Sequence, residues 1–383
     1  MKKGIFTSKV AKVFLMAIVV IVLCFQVLTF ASEKTNAEVK QFALQTQSLA
    51  NFTYDNTDKS YLITSYNDLL ELSKAVMGSS ASSPSGCTTY SGVKFKQVCD
   101  ITIPSSSKFR PIGYHSAYPF QGTYNGQNYA IRNFNIISSY GAAGLFGYVK
   151  NATIQNVVLE SGVLSSKAKH VGGIVGHATA SSSTTIKNCL NMGVPVTATA
   201  TTESYCGGIV GYAENQTSIQ NCYSNDNVTN NSTTSASAGG IVGYCYSTST
   251  TSKPSVSVCW SKGGVQAGTS TSAKSYAGGI IGRAVNTSVT NCLNDGQVKA
   301  YAKEIPKTTF LTFGEQLRDD GGVLIDGFSI GLPLWNEAGG KDNYWAYYLG
   351  CMWPSTTWPS GTVDLKYDKY SSQLNNIKKE SYI

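Results

Sequence analysis

Gly207-Gly208-Ile209-Val210-Gly211, followed by Ile219-Gln220-Asn221-Cys222, is the stretch on which the fold turns, because the chain contains it five times. The other glycine blocks are Ala143-Gly144-Leu145-Phe146-Gly147, Gly172-Gly173-Ile174-Val175-Gly176, Gly239-Gly240-Ile241-Val242-Gly243 and Gly278-Gly279-Ile280-Ile281-Gly282. Their final glycines, Gly147, Gly176, Gly211, Gly243 and Gly282, lie 29, 35, 32 and 39 residues apart. A block returning at a period of roughly 20–50 residues marks a repeat architecture. Repeated five times, it reads as scaffold and not as an active site.

Each block leads into a second element: Ile154-Gln155-Asn156-Val157, Ile186-Lys187-Asn188-Cys189, Val256-Ser257-Val258-Cys259 or Val289-Thr290-Asn291-Cys292 in the sister units. A turn residue (Gly193, Asp226, Gly263 or Gly296) then precedes Val196, Val228, Val265 or Val298. Three β-prone runs separated by turn chemistry predict one coil of a solenoid per unit. The expected fold is all-β, a right-handed parallel β-helix with a short N-terminal capping helix. In it the paired glycines serve either a positive φ or close approach of the next coil. The Cys189, Cys222, Cys259 and Cys292 row stacks inward as small hydrophobes. Asn156, Asn188, Asn221 and Asn291 suit a corner where side-chain amides stack, and Val258 interrupts that row.

The block and its I-x-N-C strand resemble the GLUG repeat of bacterial exported and surface proteins. That repeat also occurs in non-catalytic regions of immunoglobulin-A-cleaving metallopeptidases and in adhesin-like proteins. The segment ahead of the blocks is similar to what precedes GLUG repeats: Tyr61-Leu62-Ile63, Ser65-Tyr66-Asn67-Asp68-Leu69-Leu70, Cys99-Asp100-Ile101-Thr102-Ile103, Phe109-Arg110-Pro111-Ile112-Gly113 and Pro119 to Gly126. The resemblance covers roughly residues 60–300. It implies architecture and an exported or surface location, not a reaction. Asn125 departs from it, since many relatives carry an acid there.

Four regions are expected. Residues 1–31 are a signal peptide or signal anchor, with a basic start and an apolar run of 18 residues from Val13 to Phe30. Residues 32–140 form the N-terminal cap and first coils. Ser65 and Asp68 make a helix start there, Leu69, Leu70, Leu72, Ala75 and Val76 an apolar stripe, and Gly78 a stop. Residues 141–300 carry the repeats, and residues 301–383 an aromatic-rich C-terminal cap. Trp335, Trp345, Trp353 and Trp358 in that cap are the candidate ligand platform.

Charged residues are only 14% of the chain. The formal charge of +8 falls to 8 − 4 = +4 without Lys2, Lys3, Lys9 and Lys12. With no basic run, nucleic acid is not an expected partner. Cys87 and Cys99 are the expected disulfide if the compartment is oxidising, with Cys206 and Cys245 a second candidate pair.

The chain has three histidines and no H-E-x-x-H, so no metal ligand, cofactor site or catalytic residue is assigned. His177 reads as a substitute in an outer row that continues Tyr148, Tyr212, Tyr244 and Arg283. The Ser/Thr tracts Thr197 to Ser204, Thr229 to Ser237 and Thr269 to Ser275 fall at one corner, as solvated loops or as a polar binding ridge.

The leading expectation is a non-enzymatic secreted or cell-surface protein for adhesion or ligand binding. Glycans and host or cell-surface proteins are its candidate partners, and it meets a membrane only through an uncleaved N-terminal segment. A polysaccharide-active enzyme using Glu315, Asp319, Asp320 and Asp326, and a structural spacer of a surface assembly, are the alternatives.

Overall fold

A computed structural model describes residues 48–77, 87–107, 109–138, 141–269, 272, 274–294 and 296–301. It also describes the backbone of Glu315–Leu317, Ile330–Leu334 and Tyr344–Gly350. The chain divides into two units, Met1–Ala50 and Asn51–Ile383, and everything below concerns the second. The apolar run from Val13 to Phe30 lies outside the described residues. No helix among those residues is long and apolar enough to cross a membrane.

The second unit is a parallel β-solenoid. From Thr123 onward each coil sets down five short strands, not the three expected. Thr184–Lys187, Leu190–Asn191, Val196–Ala198, Ser204–Gly207 and Val210–Glu214 make up one coil before Thr217–Gln220 begins the next. Stacked coil on coil, they build five sheets of nine, seven, eight, five and six strands, taken in that order around the coil. The two-residue strands of the second sheet escaped the sequence pattern because no turn of their own sets them off.

Register is strict. Ile154, Ile186, Ile219, Val256 and Val289 pair in sequence along the first sheet. Val196, Val228, Val265 and Val298 do the same along the third. All are buried, so each coil completes a core that a single coil is too thin to form. Most of the unequal spacing of the glycine blocks is absorbed by two corners, one between the third and fourth sheets and one between the fifth and first.

Two rows explain the repeat residues. Positive φ falls on Asn156, Asn188, Asn221 and Asn291, at 55°, 54°, 52° and 55°, and not on the paired glycines. Asparagine tolerates this left-handed conformation better than most residues. Its amides also stack: Asn156 Nδ2 donates to Asn125 Oδ1 at 2.8 Å, Asn188 to Asn156 at 3.1 Å, and Asn221 to Asn188 at 3.3 Å. The second glycine of each block answers to close approach instead. A Cβ on Gly208 would strike Ser224 Oγ and the carbonyl of Gly240 in the next coil.

The cysteine row is buried and free, and the other described cysteines are free as well, with Cys99 partly exposed. Cys189, Cys222 and Cys259 each donate to a carbonyl two residues back at 3.3 Å. Burial holds the Cys189 and Cys259 thiols protonated. The expected Cys87–Cys99 bridge is absent from this structure. Cys99 Sγ is directed instead at the carbonyl of Thr64, 3.0 Å away. Cys206 and Cys245 are likewise unbridged and stand in different sheets, the fourth and the fifth.

The start of the solenoid is closed by a hairpin and a helix. Tyr54–Asp55 runs antiparallel on Ser60–Ile63 at the edge of the first sheet. The helix α1, Tyr66–Met77, begins where Asp68 N donates to Ser65 Oγ at 3.3 Å and Asp68 Oδ2 accepts from Thr64 N at 2.7 Å. Leu69, Leu72, Ser73 and Val76 are its buried stripe, and Ser73 Oγ donates to the carbonyl of Arg110. The expected stop at Gly78 lies outside the described residues. At the other end, Tyr344–Gly350 pairs antiparallel with Ala300 and Tyr301.

Candidate functional site

The glycine block is a bend of fixed length. Outward residues seven apart, one on the fourth sheet and one on the fifth, are brought face to face across it. The fourth-sheet row is His170, Tyr205, Ser237 and Tyr276, and the fifth-sheet residues seven further on are His177, Tyr212, Tyr244 and Arg283, a row that Tyr148 begins. Only the second row was visible as a row in the sequence. Its partner was missed because its side chains range from serine to tyrosine, although the offset of seven from His170 onward was there to be found.

Together the rows make an aromatic seam along the solenoid. Tyr148, His177, Tyr212 and Tyr244 follow one another at centroid distances of 5.4, 4.8 and 5.3 Å. Across the bend, His170 meets His177 at 4.7 Å and Tyr205 meets Tyr212 at 5.3 Å. Arg283 ends the seam with its guanidinium over the rings of Tyr244 and Tyr276, at 4.9 and 5.1 Å. The rings lie against one another, and Tyr205 and Tyr244 are buried. Ring faces engaged in this way are not free to stack on a sugar, so a ligand meets ring edges and the polar rim.

That rim is charged. Lys169 Nζ bonds Glu203 Oε2 at 3.2 Å and lies 5.4 Å above Tyr205. His177 Nε2 lies 2.9 Å from Glu214 Oε1, and Tyr212 OH donates to Glu214 Oε2 at 3.5 Å. The hydrogen bond from His177 lowers the Glu214 carboxyl, against its partial burial. Burial, reinforced by His177 and Lys169, holds His170 well below the usual histidine range and therefore neutral. Burial also raises Tyr244 to about 12.

The Ser/Thr tracts prove to be half interior. Ser204, Ser232, Ser237 and Ser272 are buried beside Asn230. Asn230 Nδ2 donates to the carbonyls of Ser204 and Ser237 at 2.8 and 2.9 Å, and its Oδ1 accepts from Ser204 Oγ at 2.9 Å. The tracts thus hold the corner together, which the reading as solvated loops did not foresee. Thr201, Thr202, Thr233 and Thr234 remain available at its surface.

The tryptophan platform lies mostly outside the described residues. Trp345 belongs to the strand Tyr344–Gly350, and Trp335, Trp353 and Trp358 are not among those residues. Of the C-terminal acids, Glu315 starts the strand that pairs with Arg283 to Val285; Asp319, Asp320 and Asp326 are not described.

One stretch of the solenoid matches a known repeat motif. The family described as the GLUG motif matches residues 202–229, close to one full coil from Ser204–Gly207 to the start of Val228–Asn230. Among solved structures, a Bacteroides ovatus protein named for the immunoglobulin A1 proteases is similar. It has 17% identity and a TM-score of 0.44, over 70% of this chain and 84% of that one. No curated protein matches the chain in sequence.

Proposed function

We propose that this chain is a non-enzymatic secreted or cell-surface β-solenoid that binds a ligand, glycan or host protein, along its outer faces. Its N-terminal segment serves as the export signal, cleaved or kept as an anchor. The observation that carries this reading is a contrast between the two sides of the coil. Inward positions repeat as Ile, Val and Cys, whereas the outer seam passes from His–His through Tyr–Tyr to Arg–Tyr. A scaffold whose only task was spacing would have no use for that variation on one face. The rim of Lys169, Glu203 and Glu214 supplies directional, charge-assisted contacts beside it.

Solid-phase binding to glycans, matrix proteins and host cells tests the reading. Binding is expected to at least one class and to fall when Lys169→Met and Glu203→Gln are combined. Uniform absence of binding removes it.

A further inference from the structure

We propose that His170 and His177 form a binding site for a first-row divalent cation of the zinc–copper class, set across the glycine bend of one coil. Their rings are 4.7 Å apart and inclined at 64°. The Nδ1 atoms of both are buried and have no hydrogen-bond partner among the described residues. A buried polar nitrogen is normally satisfied, and two on adjoining rings call for a shared partner.

The tautomers favour a metal over a hydrogen-bond donor. In the tautomer with the proton on His177 Nε2, that nitrogen donates to Glu214 Oε1 at 2.9 Å and Nδ1 keeps its lone pair. A carboxylate behind a ligating imidazole is the usual outer support of such a site, fixing both ring and tautomer. His170 Nδ1 is likewise buried without a partner, so it too is open to a cation. With metal–nitrogen bonds of about 2.0–2.1 Å, imidazoles sharing a metal near the tetrahedral angle have centroids on the order of 5 Å apart.

No group of three or more His, Cys, Asp or Glu side chains converges among the described residues. The protein therefore offers two nitrogens, and water or a ligand completes the sphere. The side chains of His177 and Glu214 are 15% and 25% exposed, so the site opens on the seam's rim.

The next coil carries Tyr205 and Tyr212 at the same two positions, which shows that the fold accepts tyrosine there. The test uses the full chain with Co2+ as a spectroscopic probe and Zn2+ as competitor. One equivalent should bind with nitrogen-type visible bands and be displaced by Zn2+. His170→Tyr and His177→Tyr should each weaken binding about tenfold or more, their combination should abolish it, and Glu214→Gln should weaken it about 10–100-fold.

Imidazole nitrogen NMR of the wild-type chain needs no variant: His170 and His177 should respond to Zn2+ while His115 does not. Intense thiolate-to-cobalt absorption, a response at His115 alone, no binding, or unchanged binding in the double variant would overturn the proposal.

Discussion

Val258 stands in a position made for asparagine. Its φ is 52°, a left-handed conformation that costs an L-residue roughly 1–2 kcal/mol, and its side chain is β-branched. It also offers no donor to the coil before it, and Asn221 Oδ1 is buried without a partner. Val258→Asn is therefore expected to stabilise the protein by about 1–2 kcal/mol, seen as a higher urea midpoint at unchanged slope. Gly208→Ala should do the reverse. Its Cβ is aimed at the Gly240 carbonyl and Ser224 Oγ, and overpacking of this kind costs about 1–3 kcal/mol in the same measurement. The break at Val258 was legible in the sequence as a gap in the Asn row. That positive φ belongs to the asparagines and close approach to the glycines was not, because glycine suits both roles.

At the scale of elements, the first hairpin and the helix show how the solenoid begins. Lys96 bonds Asp55 at 2.8 Å and Asp58 at 2.6 Å, tying the strand of the next coil to the hairpin. The Lys96 hydrogen bond holds Asp55 down at about 2. Because that pKa is depressed, the contribution is present above the ordinary carboxylate range near pH 4 and is lost as pH falls towards 2. Thermal melting between pH 5 and 2 should show it, and Lys96→Met should flatten that acid limb.

For α1, Asp68→Ala removes the acceptor of Thr64 N and the first-turn acid; about 1 kcal/mol is expected, read from thermal or urea unfolding. The helix start was readable because capping is local chemistry. The second sheet was not, since a two-residue strand such as Leu190–Asn191 owes its existence to the coils above and below it. The aromatic seam fell between these cases. Half of it stood in a visible row, and the other half became a row only once the glycine bend joined the two.

At the scale of the molecule, each coil touches chiefly its neighbours, so stability is close to a sum over coils and interfaces. Deleting residues 212–243 joins Gly211 to Tyr244 and removes one period while leaving the registers on either side compatible. The shortened protein is expected to fold with the same circular-dichroism signature and a urea slope reduced in line with the surface one coil buries. Loss of cooperative unfolding would count against this modular picture. The amide column running through those coils has a further property. Asn156, Asn188 and Asn221 all donate backwards, towards the preceding coil. Their dipoles therefore add along the axis, as peptide dipoles do in a helix. The stack is an electrically polar rod, positive towards Asn125 and negative where it stops at the bare oxygen of Asn221.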